Sequence, residues 1–191
     1  MKVVAFNGSA RKDGNTAILL NCVLRELEAE GVETELIQFA GEKVRGCIAC
    51  YKCMELMNRR CVMESDKVND WIEKVESADG MVLGSPVYFS DLTAGLKGFI
   101  ERAGMVARAN GDLFRRKAGA AVVAVRRAGA VHTFDSMNHF FFISQMIVPG
   151  ANYWNLGIGR DIGEVEGDEE GIKTMKVLGR NMAWLLKKTR G

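Results

Sequence analysis

The chain contains 191 residues, of which 48% are hydrophobic and 26% are charged. This length suits one compact domain of roughly 100–200 residues, and the composition excludes an intrinsically disordered chain. The 26 Lys and Arg residues nearly balance the 24 Asp and Glu residues, so the basic excess typical of nucleic-acid-binding proteins is absent. No apolar run resembles a signal peptide or reaches the roughly 20 residues of a membrane span. We therefore expect a cytoplasmic protein with reduced cysteines, no membrane association and no nucleic-acid partner.

Apolar periodicity predicts strands and helices in alternation along the whole chain. The predicted strands cover residues 3–6, 34–39, 80–84, 120–125 and 151–156. The predicted helices cover residues 16–29, 66–77, 93–106, 132–147 and 169–188. Short apolar strands that alternate with amphipathic helices are typical of a parallel sheet with helices on both faces. Five such strands predict an α/β fold with a flavodoxin-like, doubly wound sheet of order 2-1-3-4-5.

This topology places ligand-binding loops at the carboxyl ends of the strands, at the switch point between the first and third strands. We expect residues 1–191 to form a single domain whose functional residues follow strands one, three and four. Residues 41–64 are expected to form a cysteine-rich insertion loop. The polar stretch 157–171 is predicted to be a mobile loop, in which the charged residues 164–170 are solvated.

The segment after the first strand, residues 8–16, joins a Gly/Ser-rich turn to a helix N-terminus. Free backbone N–H groups and the helix dipole make such a junction an anion site. Ser9 and Thr16 add hydroxyl groups, and Arg11 adds a cation. The glycine spacing matches neither the nucleoside-triphosphatase loop nor the G-x-G-x-x-G dinucleotide pattern. The segment therefore favours a single phosphate on a small cofactor, and a plain helix cap by Asn15 is the alternative.

Four of the five cysteines are clustered after the second predicted strand. They are Cys47, Cys50, Cys53 and Cys61, at spacings of two, two and seven residues. Thiolates spaced in this way can turn toward one centre, and iron–sulfur clusters use three close cysteines with a fourth further along. A zinc site, a redox dithiol of Cys47 and Cys50, and plain thiols are the alternatives. Cys22 lies on the apolar stripe of the first helix and is expected to be a core residue.

The loops after the third and fourth strands carry aromatic and cationic side chains. Pro86 stiffens the exit of the third strand, and Tyr88 and Phe89 offer aromatic faces to a planar ring. Arg126 and Arg127 end the fourth strand, where burial is costly unless they meet an anion. The alternatives are ordinary packing for the aromatic pair and full solvation for the arginine pair.

Three segments together resemble the NAD(P)H-dependent FMN reductase family of flavodoxin-like proteins, and the similarity extends over nearly the whole chain. They read G-S-x-R-x-x-G-N-T from Gly8, G-S-P-V-Y from Gly84, and T-x-x-x-K-x-F-x-x-R from Thr93. The resemblance implies that the FMN phosphate is bound by Ser9, Arg11, Gly14, Asn15 and Thr16. It also implies that the isoalloxazine ring lies along Pro86, Val87, Tyr88 and Phe89, with Arg127 and Gly129 near its far edge.

The cysteine spacing resembles that of the iron–sulfur flavoproteins, a branch of the same fold family whose cysteine loop holds a [4Fe-4S] cluster. This resemblance implies that the four clustered cysteines are metal ligands, with the spacing to Cys61 at the long end of the range found in that branch. The family also implies a homodimer or a homotetramer. The apolar run 140–143 is wider than one buried helical stripe requires, which fits either such an interface or a helix packed on both sides.

These features predict an FMN-dependent oxidoreductase that transfers electrons between a reductant and an acceptor, with a [4Fe-4S] cluster in the 47–61 loop. The expected partners are small-molecule or protein electron donors and acceptors, with NAD(P)H as a candidate substrate. Two alternatives stay open, namely an FMN or quinone reductase without a cluster and a non-enzymatic flavodoxin-like electron carrier. No catalytic acid–base pair is predicted, and His132 and His139 are expected to be solvated or capping residues.

Overall fold

The computed structural model describes residues 1–190, which form one five-stranded sheet with helices around it. The strands are β1 (Lys2–Asn7), β2 (Glu33–Gln38), β3 (Gly80–Pro86), β4 (Ala118–Val125) and β5 (Leu156–Ile158). The helices are α1 (Asn15–Ala29), α2 (Lys52–Leu56), α3 (Val68–Ser77), α4 (Ala94–Ala109), α5 (Ala130–Ile143) and α6 (Glu169–Arg190). The strand order is β2-β1-β3-β4-β5 and all four pairings are parallel, which confirms the predicted topology.

The central strands are apolar because both faces of the sheet are covered. Every residue of β4 is buried, and so is every residue of β1 after Lys2. A parallel strand between two helical layers needs such a continuous apolar run rather than an alternating one. The edge strand β2 is less buried, and Ile37 is its one fully buried residue.

Two apolar clusters, one on each face of the sheet, form the core. On the face covered by α3, α4 and α5, the rings of Phe6, Trp71 and Phe99 lie with centroids 4.6–6.2 Å apart. On the other face, α1 and α6 pack together through residues such as Leu20 and Met182. Helices therefore cover both faces, as a doubly wound sheet requires. No helix within residues 1–190 combines the length and apolarity that crossing a lipid bilayer requires.

The sequence prediction is wrong for the fifth strand and for the end of the fifth helix. The fifth strand is not 151–156 but Leu156–Ile158, which pairs with the last three residues of β4. The fifth helix ends at Ile143 rather than at residue 147, and Gln145 has a left-handed backbone with φ 56°. The chain then turns so that the N–H of Ile147 donates to Lys117 O at 2.9 Å. The apolar residues after Ile143 therefore run beside the start of β4 instead of forming another turn of α5.

The charged stretch 164–170 is also different from the prediction. The charged residues Glu164, Glu166, Glu169 and Glu170 are exposed, as predicted, but Glu164–Gly167 forms a 3-10 helix and α6 begins at Glu169, so the stretch is not a loop. The reason is Val165, which is fully buried in the apolar cluster between α1 and α6. Burial of one apolar side chain can hold an otherwise acidic segment against the core.

Candidate functional site

A cavity of about 270 Å³ opens at the carboxyl ends of β1, β3 and β4. Its wall includes eight of the residues predicted for the flavin site, which are Ser9, Arg11, Gly14, Asn15, Thr16, Pro86, Val87 and Tyr88. The chain leaves β1 toward α1 on one face of the sheet and leaves β3 toward α4 on the other. The two loops therefore diverge and leave a crevice between them, as expected at a topological switch point.

The β1–α1 loop, residues 8–14, is braced by buried side chains. Asn7 Oδ1 accepts the N–H of Ser9 at 3.1 Å, and Ser9 Oγ accepts the N–H of Arg11 at 3.0 Å. The N–H of Gly8 donates to Gly84 O at 2.8 Å. A Cβ on residue 8 would stand 3.0 Å from that oxygen, so only glycine lets the two loops approach this closely. The loop is thus rigid before any ligand arrives.

Helix α1 begins without a side-chain cap and without an acidic residue in its first turn. Gly14 occupies the N-cap position, so Asn15 is not the cap. By contrast, α4 is capped by Thr93, whose hydroxyl accepts the N–H of Leu96 at 3.4 Å. The first N–H groups of α1 and the positive end of its dipole are therefore available to an external anion.

The positive charge of this cavity is not neutralised within the part of the chain that the structure describes. Arg11 and Arg126 both line the cavity, and neither forms an ion pair or a side-chain hydrogen bond with residues 1–190. Both side chains are exposed to solvent at its mouth. Two uncompensated guanidinium groups beside an uncapped helix N-terminus make this an anion-binding arrangement.

The side chain of Asn15 is already hydrogen-bonded within the chain. Its Nδ2 donates to Asp161 O at 2.9 Å, and its Oδ1 accepts the N–H of Gly163 at 2.9 Å. These bonds tie the segment after β5 to the start of α1, which brings Gly159 and Arg160 into the cavity wall. Sequence reasoning missed these two residues. The sequence offered one signal, which was a glycine after a short apolar run. In the structure a Cβ at position 159 would stand 2.6 Å from a backbone nitrogen, so this position requires glycine.

The β3–α4 loop contains a strained two-residue turn at Phe89 and Ser90. The N–H of Tyr88 donates to Asp91 O at 2.8 Å, and the N–H of Asp91 donates to Tyr88 O at 3.1 Å. Phe89 and Ser90 have φ values of 48° and 64°, which are uncommon for residues other than glycine, asparagine and aspartate. The turn directs the Phe89 ring into solvent, so Tyr88 lines the cavity and Phe89 does not.

The β4–α5 loop touches the β3–α4 loop through Gly129. This glycine has φ 86°, and a Cβ on it would stand 2.9 Å from both Ser90 Cα and Val87 Cγ1. Arg127 and Gly129 do not line the cavity, whereas Arg126 does. The side chains of Arg126 and Arg127 are both exposed.

The four clustered cysteines line a second cavity of about 20 Å³. Apolar side chains complete much of its wall, among them Ile48, Val62, Met105 and Val106. Cys50 is exposed, whereas Cys47, Cys53 and Cys61 are partly buried, and all four are free thiols. Burial raises the pKa of the Cys53 thiol. Among residues 1–190, no group of three or more His, Cys, Asp or Glu side chains is arranged to hold a metal ion.

Two N–H groups donate to cysteine sulfurs in this second cavity. The N–H of Ala49 donates to Cys47 Sγ at 3.4 Å, and Arg102 Nε donates to Cys61 Sγ at 3.4 Å. The N–H of Cys47 itself donates to Glu101 Oε2 at 3.1 Å. Four sulfur atoms on an apolar wall, two of which accept N–H hydrogen bonds, match the donor chemistry of thiolate-bound iron–sulfur groups. Cys22 lies apart, on α1, where burial raises the pKa of its thiol.

Comparison with known proteins assigns the chain to a family. Residues 1–161 match the family described as NADPH-dependent FMN reductase. The chain belongs to this family. Among its relatives in the family, iron-sulfur flavoprotein MJ1083 of Methanocaldococcus jannaschii is 36% identical, over 98% of each chain. The iron-sulfur flavoprotein of Methanosarcina thermophila is 30% identical, over 97% of this chain and 95% of its own length.

Solved structures with the same fold include flavin proteins of low sequence identity. RosB with a bound 8-demethyl-8-formylriboflavin-5'-phosphate has a TM-score of 0.76 at 21% identity, and the match covers 100% of this chain and 82% of RosB. A flavodoxin from the domain Archaea has a TM-score of 0.65 at 16% identity, over 98% and 99% of the two chains. As a member of the FMN reductase family, the protein is a flavin-dependent oxidoreductase with a flavodoxin-like fold.

Proposed function

We propose that the cavity between β1, β3 and β4 binds FMN, with the phosphate at the start of α1. The observation that carries this proposal is the uncapped, acid-free N-terminus of α1 next to the unpaired cation of Arg11. Ser9 and Thr16 are buried at the same point and add hydroxyl donors. Gly14 leaves the backbone N–H groups open, and Asn15 fixes the opposite wall.

We propose that the isoalloxazine ring lies along Pro86, Val87 and Tyr88. Tyr88 is half exposed and lines the cavity, so one face of its ring is open to a flat ligand. Phe89 and Arg127 stand outside the cavity wall, where they can reach only the outer part of a bound ring. Gly129 acts indirectly, because its missing side chain lets the two loops that frame the ring touch each other.

We propose that Cys47, Cys50, Cys53 and Cys61 hold a [4Fe-4S] cluster. The support is that all four thiols line one apolar cavity and that the relatives described above are named iron-sulfur flavoproteins. Each thiolate of a four-iron cluster binds a different iron, so the sulfurs need not converge on one point as they must around a single zinc ion. The four thiols line one cavity without being arranged around a single metal ion, which favours a cluster over zinc.

FMN can exchange two electrons as a hydride or one at a time, whereas a [4Fe-4S] cluster exchanges one, so together they would join two-electron to one-electron chemistry. The protein itself would hold both groups next to a single helix, α4. Thr93, at the start of α4, donates its hydroxyl to Gly8 O at 2.8 Å beside the FMN cavity. Glu101 and Arg102, on the same helix, contact the cysteine segment. The proposed partners are NAD(P)H as a reductant and a small-molecule or protein acceptor.

Iron and acid-labile sulfide, measured per FMN in anaerobically purified protein, test this assignment. We expect about four of each per cluster. Cys53→Ala should lose the iron and keep FMN, whereas the matched control Cys22→Ala should keep both. Flavin absorption without iron or sulfide would overturn the cluster and leave an FMN or quinone reductase. Zinc without sulfide would indicate a structural metal site instead. Failure to oxidise NAD(P)H with any acceptor would overturn NAD(P)H as the reductant.

We also propose that the protein forms a homodimer or a homotetramer through α5 and the segment after it. Phe142 and Ile143 on α5 are 62% and 60% exposed. With Tyr153 and Trp154 of the following segment, Phe142 lines an open cavity of about 470 Å³. Exposed apolar surface of this extent is typical of an interface rather than of a free surface.

A further inference from the structure

Arg102 is a fully buried cation in the middle of α4. A buried guanidinium is costly unless its charge is paired and its N–H groups are hydrogen-bonded. The carboxylate of Asp66 pairs with Nη1, and Asp66 is itself nearly buried. Nη2 donates to Met63 O at 2.7 Å. The Asp66 carboxylate neutralises the charge, and the two contacts together bind the segment between the last cysteine and α3 to α4.

The third edge of the guanidinium faces a sulfur atom. Arg102 Nε donates to Cys61 Sγ at 3.4 Å, a contact that charge neutralisation does not require. The planar fork of an arginine directs its N–H groups in fixed directions, so the Asp66 and Met63 contacts hold Nε in place toward Cys61. The geometry of the ion pair therefore selects the position of the fourth cysteine.

The backbone of Cys61 is held independently from α3. The N–H of Cys61 donates to Asn69 Oδ1 at 2.7 Å, and Asn69 Nδ2 donates to Cys61 O at 2.9 Å. Asn69 is 3% exposed, so water competes little for these two bonds. Both backbone groups and the sulfur of Cys61 are thus fixed by buried side chains, although eight positions separate it from Cys53 along the chain.

We propose that Arg102 is a positioning residue that presents Cys61 to the cluster and raises the reduction potential of that cluster. This inference rests on the proposed [4Fe-4S] site. A reduced cluster carries one more negative charge than an oxidised one, and a charged N–H donor on a ligand sulfur stabilises that charge. The sulfur of Cys47, by contrast, receives a neutral backbone N–H.

Arg102→Lys tests the inference, because lysine keeps the charge next to Asp66 but has no rigid fork to reach Cys61 and Met63 together. We expect the variant to keep its FMN and its melting temperature within a few degrees of the parent. We expect its cluster to have a more negative reduction potential and a shifted electron paramagnetic resonance signal. Arg108→Gln removes an exposed cation from the same helix and should change neither quantity.

Each outcome decides a different claim. Parent protein without iron and sulfide after anaerobic reconstitution overturns the proposed cluster, and this inference with it. Parent protein with a cluster whose potential and spectrum are the same in Arg102→Lys overturns the role of Arg102 alone. Loss of iron from Arg102→Lys at unchanged FMN content supports the role. If Arg102→Lys does not fold, the double variant Arg102→Met with Asp66→Asn removes both buried charges at once, and the same potential measurement applies to it.

Discussion

Neighbouring cations of the β1–α1 loop have different surroundings. Arg11 lines the proposed FMN cavity, whereas Lys12 does not, although both side chains are exposed. The sequence predicted that Arg11 lies at this cavity because the loop follows directly from a buried strand, so its geometry is local. Phe89 shows the opposite case. Its aromatic character predicts a ring contact, but the left-handed turn that points it outward cannot be read from residue type.

Arg11→Ala should weaken FMN binding about ten- to a hundredfold. A charged hydrogen bond to phosphate contributes about 1.5–3 kcal/mol, and each 1.4 kcal/mol is roughly tenfold in affinity. Flavin fluorescence titration of the flavin-free protein measures this. Riboflavin, which has no phosphate, should bind both proteins equally, and Lys12→Ala should bind FMN as the parent does. An equal loss for riboflavin would show that Arg11 does not contact the phosphate.

Gly129→Ala should destabilise the protein by about 1–3 kcal/mol and lower its affinity for FMN. The new Cβ is strained by the positive φ and also collides with the β3–α4 loop at 2.9 Å. Gly111→Ala is the matched control, because Gly111 has nearly the same φ, 83°, with open space around it. Urea unfolding should therefore show a smaller loss for Gly111→Ala, and no loss of FMN binding. Equal losses at both positions would mean that the loop contact has no effect.

At the scale of elements, the sequence predicted the strands and helices that have an uninterrupted apolar pattern and a buried face. Strands β1, β3 and β4 and helices α1, α3 and α4 lie within about four residues of their predicted bounds. The end of α5 and the position of β5 were wrong, because both depend on which distant backbone groups pair with Ile147 and with residues 156–158. Gly159 and Arg160 were missed for the same reason, since a bond across 146 positions brings them to the cavity.

Asn15→Ala should loosen the segment between β5 and α6 without unfolding α1. It removes both hydrogen bonds that hold Asp161 and Gly163, each of which contributes about 0.5–1.5 kcal/mol. Hydrogen–deuterium exchange of residues 159–167 should become faster, and FMN affinity should fall. Asn21→Ala, on the same helix, should leave exchange in this segment unchanged. Unchanged exchange in Asn15→Ala would show that other contacts hold the cavity wall.

At the scale of the whole molecule, the apolar surface around α5 determines the predicted assembly. Phe142→Lys should convert the oligomer to a monomer, because a charge placed at the centre of an apolar interface must be desolvated. Trp184→Lys is the control, since Trp184 on α6 is exposed to the same extent, 62%. Sedimentation velocity distinguishes the two variants. A parent protein that sediments as a monomer, or a Trp184→Lys variant that dissociates instead, would contradict this interface.

Helix α4 contacts both proposed cofactor sites, with Thr93 at one and Arg102 at the other. They are nine positions apart in the chain, or roughly 13 Å along the axis at 1.5 Å per residue. A single residue inserted between them would lengthen this spacer slightly, but it would also rotate Arg102 by about 100° around the axis and away from Cys61. The distance between the two proposed cofactor sites is therefore coupled to the rotation of α4, so insertions that keep Arg102 facing Cys61 must add about one full helical turn.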